Sequence, residues 1–391
     1  MASILAPGLL LSSPAFAESE APAPRALSLE VGQHQGRYRL AIAFDRMPAF
    51  QFFTLENPDR LVVDFPALAW RADLEPLRRL PLVTGLRQGL FRPGTHRVVM
   101  DLAGPISVDS AFLRQRLGTE ELVFDLSRTS RAAFSANAGW PEGARWEGAE
   151  VPPRRGEGLV VVIDPGHGGI DPGATKEGLI EKEIVLDFAE RLATLLEAEP
   201  GMAAVMTRTD DVFLPLRARL KVGQDAGGHV FLSLHADAEA GGKADGVAIY
   251  TLSRQASDAS AQAFAERENR SDVLAGADLA GQGDDVTRLL VDMARRQTQI
   301  ESDRLGLALV ESLEGRVDLL QQRPYRQAGF FVLRAHDMPS ALIEIGYLSS
   351  ERDRERLQDP AYLDRIAEAL VDGIAAWAAG ADPAYTAPRN P

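Results

Sequence analysis

The chain has 391 residues, 45% hydrophobic and 25% charged, enough for two or three globular domains with sizeable cores. Acidic residues (56) outnumber basic ones (42) for a net charge of -14, which argues against a nucleic-acid partner, since phosphate binding needs clustered Lys and Arg. There is no cysteine, which removes disulfides, thiolate metal sites and cysteine nucleophiles and leaves His, Asp and Glu as metal-ligating side chains.

The first residues, MASILAPGLLLSSPAFAESE, hold a short apolar stretch and then Ala15-Phe16-Ala17, an A-x-A cleavage pattern. Residues 1–17 read as a signal peptide and the chain as an exported, periplasmic protein. No Lys or Arg precedes the apolar part, which a mis-assigned start codon would explain. No later segment reaches the ~18 uncharged apolar residues of a membrane span, so the mature chain is expected to have no transmembrane segment. Glu18 to Ala26, rich in Pro and Ala, is expected to be unstructured.

From Leu27 to Arg128 the pattern is short and β-like. RLVVDF (60–65), RVVMDL (97–102) and ELVFDL (121–126) echo one another, and Asn57-Pro58-Asp59 and Arg92-Pro93-Gly94 separate strands at intervals that suit a small all-β sandwich. The arginines and aspartates here flank strands without metal-like spacing, and His34 and His96 read as surface residues. The module is one for binding or positioning. Thr129 to Gly158, with Pro141, Pro152, Pro153 and almost no periodicity, reads as a linker.

Strands and helices alternate from Leu159 to residue 380. LVVVI (159–163) reads as a strand buried on both faces. Glu183 to Ala198 is an amphipathic helix, and Met202–Met206, Val230–Leu234, Gly246–Tyr250 and Ser340–Glu344 are further strands. A last helix runs from Ala361 to Ala379. The expected fold is an α/β domain, a mostly parallel sheet flanked by helices, preceded by the all-β sandwich. At about residues 252–320 the rhythm changes to long charged helical sequence broken by a glycine-rich stretch, and reads as an insertion covering one side of the domain or as a bulky crossover.

Four residues recur in one structural position. His167 follows the first α/β strand on a glycine turn, His235 ends the strand Val230–Leu234, Glu344 lies near the end of the last strand, and Glu181 opens a helix. In open α/β sheets the carboxyl ends of the strands form the ligand crevice, so residues far apart in sequence can meet there. His167, Glu181 and His235 would give a His₂Glu set with a fourth place open, the pattern of a hydrolytic zinc site. Zinc lowers the pKa of its water and polarises a carbonyl. Glu344, unliganded, would then take the proton and pass it to a leaving amine. No His-Glu-x-x-His and no Gly-x-Ser-x-Gly occurs, which removes the helical metalloprotease arrangement and the nucleophile elbow. His229 and His336 read as supporting or exposed.

At these residues the chain resembles the zinc-dependent N-acetylmuramoyl-L-alanine amidases of the Amidase_3 type, through DPGHGG, GLIEK, FLSLHAD and ALIEIGYLSS in family order. The resemblance covers about Leu159 to Ala379. It implies one zinc held by His167, Glu181 and His235, Glu344 as the catalytic carboxylate, and peptidoglycan as substrate. NPDRLVVDF and LRQGLFRPGTHRVVMDL resemble the AMIN domain, a β-sandwich implicated in placing such amidases on the wall or septum. Gly228-His229 and Gly223 depart from the family pattern, and Arg219 matches an arginine that reads as structural. The insertion resembles the segment of division amidases in which a helix covers the zinc site until a LytM-type activator displaces it. That implies an autoinhibited enzyme with Glu268 in the open zinc position. Two rivals remain at this point: a non-catalytic wall-binding scaffold, and a zinc peptidase or deacetylase of the wall.

Overall fold

Alternating apolar residues punctuated by turns build two sheets in the first part of the chain. The computed structural model describes residues 23–381 apart from 35–36, 67, 93, 117–118, 142–157, 240, 243, 275–287 and 322. The expected signal peptide, most of the linker and the glycine-rich middle of the insertion lie outside the described residues. The chain divides into two compact units, the main break falling after Trp146.

The first unit holds β1 (Arg25–His34), β2 (Arg37–Phe44), β3 (Gln51–Leu55), β4 (Arg60–Phe65), β5 (Ala69–Trp70), β6 (Val83–Arg92), β7 (Thr95–Leu102), β8 (Ile106–Arg116), β9 (Thr119–Arg128) and the helix α1 (Arg131–Asn137). One sheet has the order β5-β1-β2-β9-β8, the other β3-β4-β7-β6, and all pairings but β1 with β5 are antiparallel. Every second residue points inward: Leu61, Val63 and Phe65 from one sheet and Leu122, Phe124 and Leu126 from the other share one core. Each such side chain stabilises the fold by about 1.5–3 kcal/mol relative to exposure.

The arginines and aspartates between these apolar positions pair across strands. Arg97 donates through Nε and Nη2 to the two Asp64 oxygens, both at 2.7 Å, and lies with its guanidinium 3.4 Å from the Phe91 ring centre. Arg39 grips Asp125 and Arg87 grips Asp101 in the same forked manner at 2.6 and 2.7 Å.

Three expectations are corrected here. β1 already begins at Arg25, inside the stretch expected to be unstructured, and Ala26 is buried in the core. His96 is buried, not a surface residue; its ring stacks on Trp70, and burial pushes the imidazole down to about 4, so it is neutral. The side chain of His34, at the end of β1, lies outside the described part. The first residues of the expected linker form α1, capped by Ser130, whose hydroxyl accepts from Ala133 N–H at 3.2 Å, and anchored by buried Phe134. Seven residues span two turns, too few to show a helical repeat.

The second unit holds β10 (Leu159–Pro165), β11 (Thr175–Lys176), β12 (Leu179–Ile180), α2 (Glu181–Ala198), β13 (Met202–Met206), α3 (Leu216–Asp225), β14 (Val230–His235) and β15 (Ala248–Leu252). After these come α4 (Ala259–Glu268), α5 (Ser271–Leu274, which only begins in this unit), α6 (Arg288–Leu313), β16 (Tyr325–Ala328), β17 (Ser340–Glu344), α7 (Glu351–Arg356) and α8 (Pro360–Gly380). The sheet order is β13-β10-β14-β17-β15-β16, parallel except where β15 meets β17. The central strands are apolar throughout because both faces are covered. Val161, Ile163, Leu232 and Leu234 pack with α2 and α8, while Val162, Phe231 and Leu342 pack with Phe264 of α4 and with Phe330.

The expected insertion divides in two. Leu305, Leu309 and Leu313 of α6 sit in the main core with α8, so this helix is a structural layer, and α4 alone of the two lies over the strand ends. β16, Tyr-Arg-Gln-Ala, went unread because it carries no apolar run. No helix among the described residues is long and apolar enough to cross a membrane.

Asp64→Ala leaves the Arg97 guanidinium, 0% exposed, without its forked carboxylate. We expect a loss of about 3–5 kcal/mol in the first unit, read by urea unfolding followed through tryptophan fluorescence. A loss below about 1 kcal/mol would contradict the weight given to this pair.

Candidate metal centre

β10 ends at Asp164-Pro165-Gly166, and the chain turns so that His167 takes φ 58°, a left-handed conformation that non-glycine residues avoid. Two buried arginines hold it there. Arg219 donates to the carbonyls of His167 at 2.6 Å and Pro165 at 2.7 Å and to Asp164 Oδ1 at 2.8 Å. Arg208 donates to the carbonyls of Pro165 at 3.0 Å and Gly166 at 2.9 Å. Arg219 therefore ties the loop together, the structural part that the family resemblance implies. Gly166 and Gly173 are needed for close approach: a Cβ would lie 2.6 Å from the His235 ring at the first and 2.6 Å from Glu181 Oε2 at the second.

The short β11–β12 hairpin carries the chain back so that α2 begins at Glu181 beside this loop. The Glu181 carboxylate is fixed by two backbone donors, Ala174 N–H to Oε2 at 2.7 Å and Ala236 N–H to Oε1 at 2.9 Å. His235 closes β14, directly opposite Glu344 of β17. The last residue of α4, Glu268, joins them.

These elements bring four of the five residues singled out from the sequence to one buried point. Glu181 Oε1 lies 3.2 Å from His167 Nε2 and 3.1 Å from His235 Nδ1. Glu268 Oε2 lies 3.6 Å and 3.5 Å from the same two nitrogens. The imidazoles meet at 81° with ring centres 5.0 Å apart. Four nitrogen and oxygen donors bound to zinc at about 2.0–2.1 Å would be separated by roughly 3.3 Å; the four imidazole-to-carboxylate distances bracket that spacing.

A second observation supports the fit. His167 Nδ1 is 2.9 Å from Asp171 Oδ2, which places the proton on Nδ1 and leaves the Nε2 lone pair directed at the cluster. That Nε2 is buried and has no hydrogen-bond partner. With both carboxylates ionised and both imidazoles neutral, the forms that ligate a metal, the cluster carries a double negative charge that a dication would offset. The residues present fit a zinc ion.

The electrostatics show how crowded the point is. Burial alone would lower the His167 pKa, but Glu181, Asp171 and Glu268 outweigh it and raise it well above the ordinary value. Burial opposes the charge on Glu181, yet His167 and His235 hold its carboxyl well below the usual range. Glu268 is raised by burial, against the pull of the two imidazoles. Glu344 is raised well above its ordinary value by burial and then by Asp237 and Glu181. Its Oε2 accepts from Asp237 N–H at 3.0 Å, whereas its buried Oε1 has no partner.

Sequence reasoning missed Asp171, hidden in what reads as an Asp-Pro-Gly turn, and Asp237, whose carboxylate pairs with Arg267 of α4. His229 is a buried tie, its Nδ1 accepting from Val160 N–H at 2.9 Å, and the His336 side chain is half exposed.

Residues 161–376 match the N-acetylmuramoyl-L-alanine amidase family Amidase_3, and residues 28–126 match the AMIN domain. The N-acetylmuramoyl-L-alanine amidase AmiC of Escherichia coli O6:H1 is 30% identical over 366 residues, covering 87% of this chain and 86% of its own. AmiC of Neisseria meningitidis serogroup B is 33% identical over 359 residues, 86% of each chain. Among solved structures, the amidase AmiC2 of Nostoc punctiforme covers 57% of this chain and 98% of its own at 27% identity and a TM-score of 0.42. With its second unit matched along its length and the β-sandwich ahead of it matched as well, the chain belongs to the N-acetylmuramoyl-L-alanine amidase family, Amidase_3, and carries an AMIN domain before the catalytic one.

Proposed function

We propose that the chain is a periplasmic, zinc-dependent peptidoglycan amidase that acts in wall remodelling and daughter-cell separation and is held inactive by α4. The bond cleaved is the amide between the lactyl group of N-acetylmuramic acid and L-alanine. One observation carries this reading: at a buried point Glu181 and Glu268 each set one oxygen 3.1–3.6 Å from the same two imidazole nitrogens, those of His167 and His235. The named relatives, similar over most of this chain, support the choice of bond.

His167, Glu181 and His235 would hold the ion, with Asp171 fixing the His167 tautomer. Zinc in that place lowers the pKa of a water and polarises a carbonyl. Glu344 is built to move a proton. Asp237 N–H occupies one of its oxygens and leaves Oε1 open, and burial gives the carboxyl a raised proton affinity. It accepts a proton during attack on the amide and returns it to the amine that departs.

Glu268 takes the fourth place and keeps substrate from it. Tethered at the end of a docked helix, its carboxylate has a high effective concentration and competes with water. Phe264 anchors the same helix against His235 and Tyr250, and Arg267 pairs with Asp237 beside Glu344. Opening then requires a partner that pulls α4 away, and a LytM-type activator fits that role.

Glu344→Gln should keep one zinc per chain and lower the release of peptides from purified sacculi by about 10²–10⁴-fold. Retained turnover would remove Glu344 from the chemistry. Mass analysis of the digests separates the rivals: an amidase frees intact stem peptides, a peptidase cuts within them, a deacetylase releases acetate, and a scaffold leaves the wall unchanged.

Glu268→Ala should leave zinc bound and raise wall digestion without activator by about tenfold or more. An unchanged basal rate would show that Glu268 does not close the site.

A further inference from the structure

Besides the cluster of imidazoles and carboxylates, α4 covers a cation, Arg326. Arg326, in β16, has a side chain 12% exposed. Its guanidinium donates to Asp258 Oδ1 at 2.5 Å and Oδ2 at 3.2 Å, to Ser260 Oγ at 2.6 Å and to the Tyr250 hydroxyl at 3.0 Å. Three of these four bonds go to the cap and first turn of α4, since Asp258 is its N-cap. Tyr250 alone belongs to the sheet. Its hydroxyl meets that of Tyr347 at 3.2 Å, and Tyr347 follows Glu344 by three residues. Arg326 is thus joined through two hydroxyls to the strand end that carries the proposed catalytic carboxylate.

Withdrawal of α4 removes three acceptors from this enclosed guanidinium at once. A planar fork in such a place is matched by a carboxylate, which accepts two parallel bonds. The substrate has carboxylates only on its peptide side: the glycan offers hydroxyls and N-acetyl groups, and the lactyl carboxyl is the one tied up in the scissile amide. We propose that Arg326 is a specificity residue that receives a carboxylate of the stem peptide, and that Asp258 holds its place while α4 is docked. This deepens, and rests on, the reading of the site as an amidase closed by α4.

The spacing agrees. Asp258 and Glu268 are ten residues apart on one helix, roughly 15 Å by helical rise. An extended peptide covers about 3.3–3.6 Å per residue, so the same span is four to five residues, within reach of a stem tetrapeptide whose first amide lies at the metal cluster. α4 therefore copies the substrate at two points, with Glu268 at the metal end and Asp258 at the peptide end.

A purely structural Arg326, one that only pins α4, would bind acidic and neutral peptides alike, and the test turns on that difference. The full chain carrying Glu268→Ala and Asp258→Asn is loaded with zinc and titrated by calorimetry with a synthetic stem tetrapeptide, its carboxylates free or amidated. We expect the free form to bind about tenfold or more tighter. That preference should vanish on adding Arg326→Gln and fall severalfold with Arg326→Lys, which keeps the charge and the fold but loses the fork. A preference that is absent at the outset, or unchanged in both Arg326 variants, overturns the proposal. Should the preference follow Arg326 while the same chain cleaves no wall, the proposal stands and the hydrolytic reading fails.

Discussion

Two imidazoles and two carboxylates share a point from which water is largely excluded, and the rest of the second unit is arranged to keep them there. Like charges so close repel strongly where the dielectric is low. The four groups stay together because each is fastened from behind: His167 by Asp171, Glu181 by two backbone N–H groups, His235 by its place in the sheet, and Glu268 by the docking of α4. In the forms that ligate a metal, carboxylates ionised and imidazoles neutral, the cluster carries a double negative charge, and a dication is what it is then suited to hold.

The cost of this arrangement appears in the backbone as well. His167 sits in a left-handed conformation worth about 1–3 kcal/mol of strain, offset by the many bonds that Arg219 and Arg208 make to the loop's carbonyls. Asp164 anchors Arg219 and also accepts from Thr207 and Ser233, so the loop is tied to three neighbouring segments. Rigid on the sheet side, the site is covered by α4, whose Glu268 meets both imidazoles and whose Phe264 meets the His235 ring. In the proposed reading, inhibition and recognition use the same contacts.

The sheet domain was legible because fully covered strands are apolar from end to end, and its site residues because each ends such a run or follows a turn. His167, Glu181 and His235 stand out for that reason. Glu268 does not: in Ala-Glu-Arg-Glu-Asn one acid looks like another, and only the resemblance singled it out. Asp171 was masked by its Pro-Gly neighbours, which suggest a turn and nothing more. Arg326 lies in a strand with no apolar run, so neither strand nor residue was visible. His96 shows a signal overlooked, since it shares its parity with Val98 and Met100, both inward-facing. α1 was too short for periodicity to register.

X-ray absorption at the zinc edge of the full-length chain tests the central claim most directly. The account expects one zinc per chain with four nitrogen or oxygen neighbours at about 2.0–2.1 Å, two of them giving the outer-shell scattering of imidazole. A six-coordinate oxygen shell, a single imidazole, or a chain that takes up no zinc would contradict it.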